Sequence, residues 1–235
     1  MSTISENLQT IKERIAQAAG RSGRKPEAVR LVAVSKLVSA ERIIEAIAAG
    51  QLIFGENYVQ EARDKIPAIS NGVSWHFIGK FQSNKANTVA DIFQMVQTVD
   101  RLKLAQALDR RLTAQGRRLD ILLEVNIGRE IQKAGVLPEQ VEGLLVEINR
   151  SCRSLIVKGL MAMPPFFAEP AAGRPFFRNL RILVEEMHKK GLFPGTDQPE
   201  LSMGMSADYE VAIEEGATLV RIGTAIFGSR DQKIS

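Results

Sequence analysis

A lysine that directly follows a predicted buried strand is the first residue of this sequence whose chemistry calls for an explanation. The run "LVAVS", residues 31–35, is almost entirely apolar and ends at Lys36. A lysine at a strand end often extends its ammonium group to solvent or pairs with a carboxylate. At a desolvated strand end, however, burial disfavours the ammonium form, lowers the pKa and leaves an amine that can attack an aldehyde. Lys36 is therefore a candidate for Schiff-base chemistry.

A second set of candidate residues lies near the end of the chain. In "MGMSADYE" the pattern predicts a helix with Ser206 at its N-cap and Asp208 in its first turn, and in "RIGTAIFG" Gly223 and Thr224 stand where a strand becomes a short helix. Each stretch offers backbone N–H groups and a hydroxyl, so the two side by side would form a phosphate pocket. Taken singly, Ser206 is equally typical of an ordinary cap and Gly223 of an ordinary turn.

The elements that must position these residues follow a regular pattern. Eight short β-rich runs recur along the chain, and an amphipathic helix ending near Gly20 precedes the first of them. The eighth run, "TLVRIG", is followed by a short tail. The other seven are followed by helical patterns over residues 40–49, 56–66, 83–90, 101–115, 138–149, 174–190 and 206–215. The Pro/Gly-rich stretch 163–175 is predicted to be one long loop after the sixth strand.

This alternation predicts a single-domain (β/α)8 TIM barrel over residues 1–235, with an extra N-terminal helix. Nearly continuous Val/Ile/Leu strands joined by helices are typical of a parallel sheet covered by helices. An open, doubly wound sheet is the alternative, because periodicity does not give strand order. The sequence contains neither of the glycine-rich phosphate motifs that would favour a nucleotide fold. In a barrel the carboxyl ends of all strands meet at one face, so Lys36 and the two C-terminal stretches would lie together.

Composition limits the classes of function. Lys plus Arg exceed Asp plus Glu by 31 to 27, and the charges are scattered, so we expect no nucleic-acid surface. The single cysteine, Cys152, fits a reducing compartment and a structural role. We see no signal peptide and no stretch of 18 uncharged apolar residues, the least that a membrane span needs. We therefore expect a cytoplasmic protein that does not enter membranes. Separately from these features, we expect a monomer.

Five stretches together resemble one family. The sequences "LVAVSK", "FGENYVQEA", "WHFIGKFQSNKAN", "VKGLMAMPP" and "LSMGMSADYEVAIEEGATLVRIGTAIFG" are similar to those of the pyridoxal phosphate homeostasis proteins, and the resemblance covers nearly the whole chain. It implies a barrel related to the N-terminal domain of alanine racemase. It also implies that pyridoxal 5'-phosphate (PLP) is bound as an internal aldimine, with no established catalytic activity.

The resemblance assigns roles to particular positions. It implies that Lys36 is the Schiff-base lysine and that Arg221 faces the pyridine nitrogen. It further implies that the phosphate is held by Ser206, Gly223 and Thr224. The positions that would line the rest of the pocket are Asn57, Ser202 and Met203. The sequence departs from the family at Lys80 and Phe81, where His or Pro and Leu are more usual, so the resemblance assigns no role to that loop position.

Three functions are compatible with the sequence. The first is a non-catalytic PLP-binding protein that buffers the cofactor or delivers it to apo PLP-dependent enzymes, and so affects amino-acid and keto-acid balance. The second is a PLP-dependent, racemase-like enzyme, and the third is an interaction module that uses the barrel surface. Racemisation needs a second acid/base group opposite Lys36, which alanine racemase takes from a second domain. This chain ends soon after the eighth unit, so we favour the carrier.

Other features of the sequence weigh against catalysis. Of the only tyrosines, Tyr58 and Tyr209, the latter falls on a predicted helix rather than at a strand end. A permanently protonated Arg221 beside the pyridine nitrogen would weaken the electron sink that PLP enzymes need. The two histidines, His76 and His188, are predicted to be structural.

Overall fold

Eight parallel strands close into a barrel in which neighbours in sequence are neighbours in space. The computed structural model describes residues 2–69 and 72–228. Strand β1 pairs with β8, with Arg30 opposite Leu219, which closes the sheet and excludes the open alternative. The strands are β1 Arg30–Val34, β2 Ile53–Glu56, β3 Ser74–Phe77, β4 Met95–Val99, β5 Leu119–Val125, β6 Leu155–Ala162, β7 Glu200–Ser202 and β8 Leu219–Ile222. The predicted barrel is confirmed.

Helices cover the outside of this barrel. The α-helices are α1 Ile4–Arg21, α2 Ala40–Ala48, α3 Val59–Lys65, α4 Ala86–Ile92, α5 Leu102–Gln115, α6 Val141–Ser151, α7 Arg174–Lys189, α8 Tyr209–Glu214 and α9 Thr224–Phe227. Helix α1 precedes the barrel, as predicted. It begins with a capping box between Thr3 and Glu6 and is tied to α9, since Asn7 Nδ2 donates to the carbonyl of Ile226 at 2.9 Å.

Side chains alternate between two apolar layers. Val32 of β1 lies in a small cluster with residues of β4, β5, β6 and β8, which is the barrel interior. Its neighbours Leu31 and Ala33 belong to the larger cluster that includes the surrounding helices. This period of two fixes which strand residues point toward the barrel axis and which pack against helices.

Two predicted boundaries were wrong. Glu56 ends β2 instead of beginning the next helix. Helix α8 begins at Tyr209 with Asp208 at its N-cap, so Ser206 lies in a turn before the helix rather than capping it. The reason is local: the Asp208 carboxylate accepts the N–H of Met205 at 2.7 Å, which closes a turn and delays the helix.

Two structural features do not occur among the described residues. None of their helices is both long and apolar enough to cross a membrane. Nor do residues 2–69 and 72–228 contain a cluster of three His, Cys, Asp or Glu side chains suited to a metal ion. Cys152 is buried at the end of α6, where burial raises the thiol pKa.

Candidate functional site

Lys36 follows β1 at the carboxyl end of the barrel. Because Val32 points into the interior and Ala33 packs toward the helices, the same alternation puts Ser35 on the helix side and Lys36 on the interior side. Ser35 is fully buried and Lys36 is half-buried. The lysine thus stands at the rim of the barrel mouth.

A buried ionic cluster lies directly behind Lys36. We call Ser35, Glu56, Glu61 and Lys65 the anchoring cluster. Lys65 Nζ donates to the carbonyl of Ser35 at 2.9 Å, to Glu56 Oε1 at 3.0 Å and to Glu61 Oε1 at 2.6 Å. Ser35 Oγ donates to Glu56 Oε1 at 2.6 Å. Lys65 of α3 therefore ties the backbone immediately before Lys36 to the ends of β2 and α3.

The residue after Lys36 is held by the same cluster. Leu37 adopts a left-handed backbone conformation with φ of 60°, which is unfavourable for a leucine. Its N–H donates to Glu61 Oε1 at 2.7 Å. Since Ser35 and Leu37 are both fixed, the cluster determines where the Lys36 side chain leaves the backbone.

Arg221 is the buried cation of the barrel interior. It lies on β8 two residues after Leu219, which belongs to the interior cluster. Its guanidinium donates to Ser202 Oγ and, at 3.0 Å, to the carbonyl of Ala162 at the end of β6. Burial lowers its pKa to about 10, with Glu124 and then Asp208 acting in the opposite direction. The group remains protonated at neutral pH.

Glu124 of β5 was missed by sequence reasoning. It is only 3% exposed, and burial together with the nearby Asp100 carboxylate raises its pKa to about 7, against the opposing charges of Lys80 and Arg221. The residue occurs in "ILLEVN", a charged residue within an otherwise apolar strand, and that interruption was the available signal. Glu124 is thus a group at the mouth that titrates near neutral pH.

Two cavities open beside Glu124 at the barrel mouth, and neither is lined by Lys36 or Arg221. Their volumes are about 620 and 260 Å³, and both are lined by Lys80, Glu124 and Ala134. Asn57 lines the larger one, and its Oδ1 is buried without a hydrogen-bond partner among the described residues. A buried acceptor of this kind is costly unless a ligand or water satisfies it.

The remaining predicted residues occupy distinct positions. Gly223 is the N-cap of α9 and the exposed Thr224 is its first residue, as predicted. Ser206 is exposed in the turn before α8. Met203 is completely buried in the cluster shared with the helices, so its side chain lies apart from Ser202 and Arg221.

The structure explains one of the two residues, Lys80 and Phe81, at which the sequence departs from the family. Phe81 is buried and meets Phe77 edge-on with ring centroids 5.1 Å apart. Lys80, by contrast, is exposed and lines both mouth cavities. The aromatic residue stabilises the loop, while the lysine adds positive charge to the mouth.

Comparison with known proteins places the chain among its relatives. Residues 6–231 match the family model described as "Alanine racemase, N-terminal domain". Over 232 residues the chain is 46% identical to the pyridoxal phosphate homeostasis protein of Pseudomonas aeruginosa, covering 98% of this chain and 97% of that protein. It is 43% identical to the Escherichia coli K12 protein of the same name over 235 residues, with 98% of each chain covered.

Solved structures agree with these relatives. The structure of PipY from Synechococcus elongatus with PLP bound has a TM-score of 0.82 and 35% identity, covering 96% of this chain and 100% of that one. Alanine racemase from Corynebacterium glutamicum, at 17% identity and a TM-score of 0.70, shares the fold; the match covers 97% of this chain and 60% of the racemase. This chain therefore belongs to the pyridoxal phosphate homeostasis protein family, whose fold is that of the alanine racemase N-terminal domain.

Proposed function

We propose that this chain is a non-catalytic PLP-binding protein that holds the cofactor covalently through Lys36 and buffers it or delivers it inside the cell. The observation that carries the proposal is the position of Lys36 at the mouth, with the residues on both sides of it fixed by the anchoring cluster. A fixed backbone presents the amine in one direction, which favours a single attachment geometry.

The polar groups of the mouth fit such a ligand. PLP supplies an aldehyde for Lys36 and a phosphate for hydroxyl and backbone N–H donors. Ser206, Gly223 and Thr224 would hold the phosphate, and Arg221 would face the pyridine nitrogen. The unsatisfied Oδ1 of Asn57 supports a bound molecule that carries a hydrogen-bond donor. Ser202 acts through Arg221, since its hydroxyl accepts from the guanidinium.

The chemistry asked of Lys36 is limited. Its neutral amine would hold the cofactor at the aldehyde carbon that PLP supplies, with one water released on attachment and taken up again on release. Ser206, Gly223, Thr224 and Arg221 would orient the ring, and a carrier would need no further reaction. PLP is bound in the solved structure of PipY, which supports the ligand's identity.

Delivery implies partners and a compartment. We propose apo PLP-dependent enzymes as recipients, which would meet the barrel at its open mouth, and we propose that the protein works in the cytoplasm as a monomer. The relatives' shared name supports a role in PLP homeostasis.

A racemase-like enzyme is the second candidate, and one observation favours it. Glu124, with a pKa near 7, is the kind of buried carboxyl that serves as an acid or base. Chiral chromatography after prolonged incubation of the PLP-loaded protein with L-alanine or D-alanine separates the two functions. We expect no racemisation above background. Multiple turnovers that require both Lys36 and Glu124 would favour the enzyme instead.

The experiment that tests the proposal is an absorption titration with PLP. The wild-type protein should develop a Schiff-base band in the visible range, and Lys36→Ala should not. Lys80→Ala is the matched control, because it removes another lysine from the same mouth and should keep the band. An unchanged band in Lys36→Ala would refute attachment at this residue.

The phosphate contacts have their own test. Ser206→Ala combined with Thr224→Ala should weaken PLP binding far more than pyridoxal binding, because a hydrogen bond to a charged group contributes about 1.5–3 kcal/mol. Equal loss of affinity for both ligands would mean that the phosphate is held elsewhere.

A further inference from the structure

A chain of hydrogen bonds crosses the interior of the barrel. Arg221 of β8 donates to Ser202 Oγ of β7, Ser202 Oγ donates to Gln97 Oε1 of β4 at 2.6 Å, and Gln97 Nε2 contacts His76 Nδ1 of β3 at 2.9 Å. All four side chains are buried. We call Ser202, Gln97 and His76 the interior chain. Because β4 and β7 are not neighbours in the sheet, the bond between Gln97 and Ser202 spans the barrel.

The direction of every bond follows from Arg221. A guanidinium can only donate, so Ser202 Oγ must accept from it and use its own O–H to donate to Gln97 Oε1. Because the side-chain amide oxygen of Gln97 accepts this bond, its NH₂ group is turned toward His76. Nδ1 of His76 must then be an acceptor, so the imidazole carries its hydrogen on Nε2 and is neutral.

The surrounding charges favour this neutral state. Burial, assisted by the positive charge of Arg30, lowers the pKa of His76 to about 3. At the other end, Glu124 and Asp208 are the carboxyls that act on Arg221. Within the described part of the protein, the guanidinium donates to a hydroxyl and a carbonyl rather than to a carboxylate. The interior chain therefore fixes the guanidinium without a direct ion pair.

We infer that His76, Gln97 and Ser202 are positioning residues that hold the guanidinium of Arg221 against the pyridine nitrogen of the bound cofactor. The assignment rests on the proposed function and extends it to the side chains bonded in sequence behind the guanidinium. Two of the five guanidinium N–H groups are engaged by Ser202 and Ala162. This fixes the plane of the group, and the N–H groups that remain can meet an acceptor on the ring.

The neutrality of the interior chain has a chemical consequence. A guanidinium that is not neutralised by a bonded carboxylate keeps a positive potential at the ring nitrogen and opposes its protonation. An unprotonated ring is a weak electron sink, and this suits holding the cofactor rather than using it. Gln97 is the residue where an isosteric change to Glu would introduce a negative charge into the interior chain.

The test compares PLP with an analogue in which the ring nitrogen is replaced by carbon. If the interior chain positions Arg221 for that nitrogen, wild-type protein should bind PLP about tenfold more tightly than the analogue, which corresponds to about 1.4 kcal/mol. The ratio should fall to near one in Arg221→Leu, and to below about threefold in Gln97→Leu and Ser202→Ala, because a loose guanidinium gains little from the nitrogen. A general structural defect would weaken both ligands alike and leave the ratio unchanged.

The matched control is Gln94→Leu. Gln94 precedes β4 at the opposite end of the barrel, is exposed, and accepts the N–H of Trp75. It should leave the ratio as in wild type. A ratio that stays near ten in Gln97→Leu and Ser202→Ala but collapses in Arg221→Leu would overturn the role of the interior chain while leaving PLP binding intact. Wild-type protein that binds neither compound would overturn the proposed function and this assignment with it.

A measurement without cofactor checks the interior chain itself. The protein has two histidines, so ring ¹⁵N signals of His76 can be assigned with the exposed His188 as reference. The Nε2–H tautomer should dominate in wild type and give way to a mixture in Gln97→Leu. If Gln97→Leu does not fold, Ser202→Ala and the isosteric Gln97→Glu supply the same comparison. An Nδ1–H tautomer in wild type would refute the interior chain.

Discussion

Two networks of polar side chains lie behind the barrel mouth, and they differ in charge. Behind Lys36, the anchoring cluster is ionic: one lysine bridges two glutamates and a backbone carbonyl between the sheet and α3. Behind Arg221, the interior chain is made of neutral side chains that run across the barrel. Each fixes the position of a cation of the site, but only the first contains carboxylates.

The difference fits the roles proposed for the two cations. The carboxylates of the anchoring cluster bond to Lys65, and Glu61 also accepts the N–H of Leu37, so they fix the backbone on both sides of Lys36. In the proposed function Arg221 would have to keep its charge, and the interior chain meets its guanidinium with a hydroxyl rather than a carboxylate. The anchoring cluster thus balances the charge of Lys65, whereas the interior chain leaves the guanidinium of Arg221 without a bonded carboxylate.

The largest effect should come from breaking the anchoring cluster. Lys65→Met leaves Glu56 and Glu61 without their cation, and the side chains of Lys65 and Glu56 are 9% and 0% exposed. Removal of one partner of a buried pair costs about 3–5 kcal/mol, to be measured by urea unfolding. Lys190→Met, which breaks an exposed pair with Glu142, should cost less than about 1 kcal/mol. Equal losses of unfolding free energy in the two variants would show that the anchoring cluster contributes no more to stability than an exposed ion pair.

The next effect concerns Glu124, a carboxyl near Arg221 whose pKa is about 7. Because the folded pKa of Glu124 lies above its ordinary value, its contribution to stability is present below pH 4.5 and is lost as pH rises through 7. Wild type should therefore lose roughly 2–3 kcal/mol relative to Glu124→Gln between pH 5 and pH 8. Parallel stability curves for the two proteins would exclude a raised pKa.

His76 should show the opposite dependence on pH. Its folded pKa lies below the ordinary value of 6.5, so its contribution is present above that value and declines as pH falls toward 3. Relative to His76→Asn, wild type should lose about 2 kcal/mol between pH 7 and pH 5. The unfolding free energies at the two pH values provide the check. An interior chain that tolerates a charged histidine would show no such loss.

The smallest effect is expected at the residue after Lys36. Leu37 is 64% exposed and holds a left-handed conformation, so Leu37→Gly should change the unfolding free energy by less than about 1 kcal/mol. The freer backbone should nevertheless weaken PLP binding a few-fold. Arg129→Gly, at the other left-handed non-glycine residue among those described, should leave PLP affinity unchanged. Equal affinities in all three proteins would mean that the strained conformation does not position Lys36.

The fold was predictable from the sequence for a physical reason, and so was the position of Lys36 and Thr224 after strands β1 and β8. Eight repeats of an apolar run and a helical pattern leave few arrangements, and a barrel brings all strand ends to one face. The sequence pattern alone therefore puts Lys36 and Thr224 at the carboxyl ends of two strands, which pair with each other in the closed barrel. The end of a strand can be recognised from the residues next to it, so no knowledge of distant contacts is needed to locate these two positions.

The supports behind the site were not predictable in the same way. Lys65 and Glu61 read as an ordinary helix-surface pair four residues apart, and only the packing of α3 on β1 and β2 buries them. Gln97 and Ser202 are 105 residues apart, and their contact depends on the register of strands on opposite sides of the barrel. Sequence patterns show which face a residue occupies, but not which side chain it meets.

Attachment of PLP to Lys36 is the central claim, and it can be tested directly. Borohydride reduction of the PLP-loaded wild-type protein makes the attachment permanent, and peptide mass mapping then locates it among the lysines. We predict that the modification is found on the peptide that contains Lys36 and that it is absent from the Lys36→Ala protein treated in the same way. Modification concentrated on another lysine, such as Lys80 at the same mouth, with Lys36 unmodified, would contradict the claim.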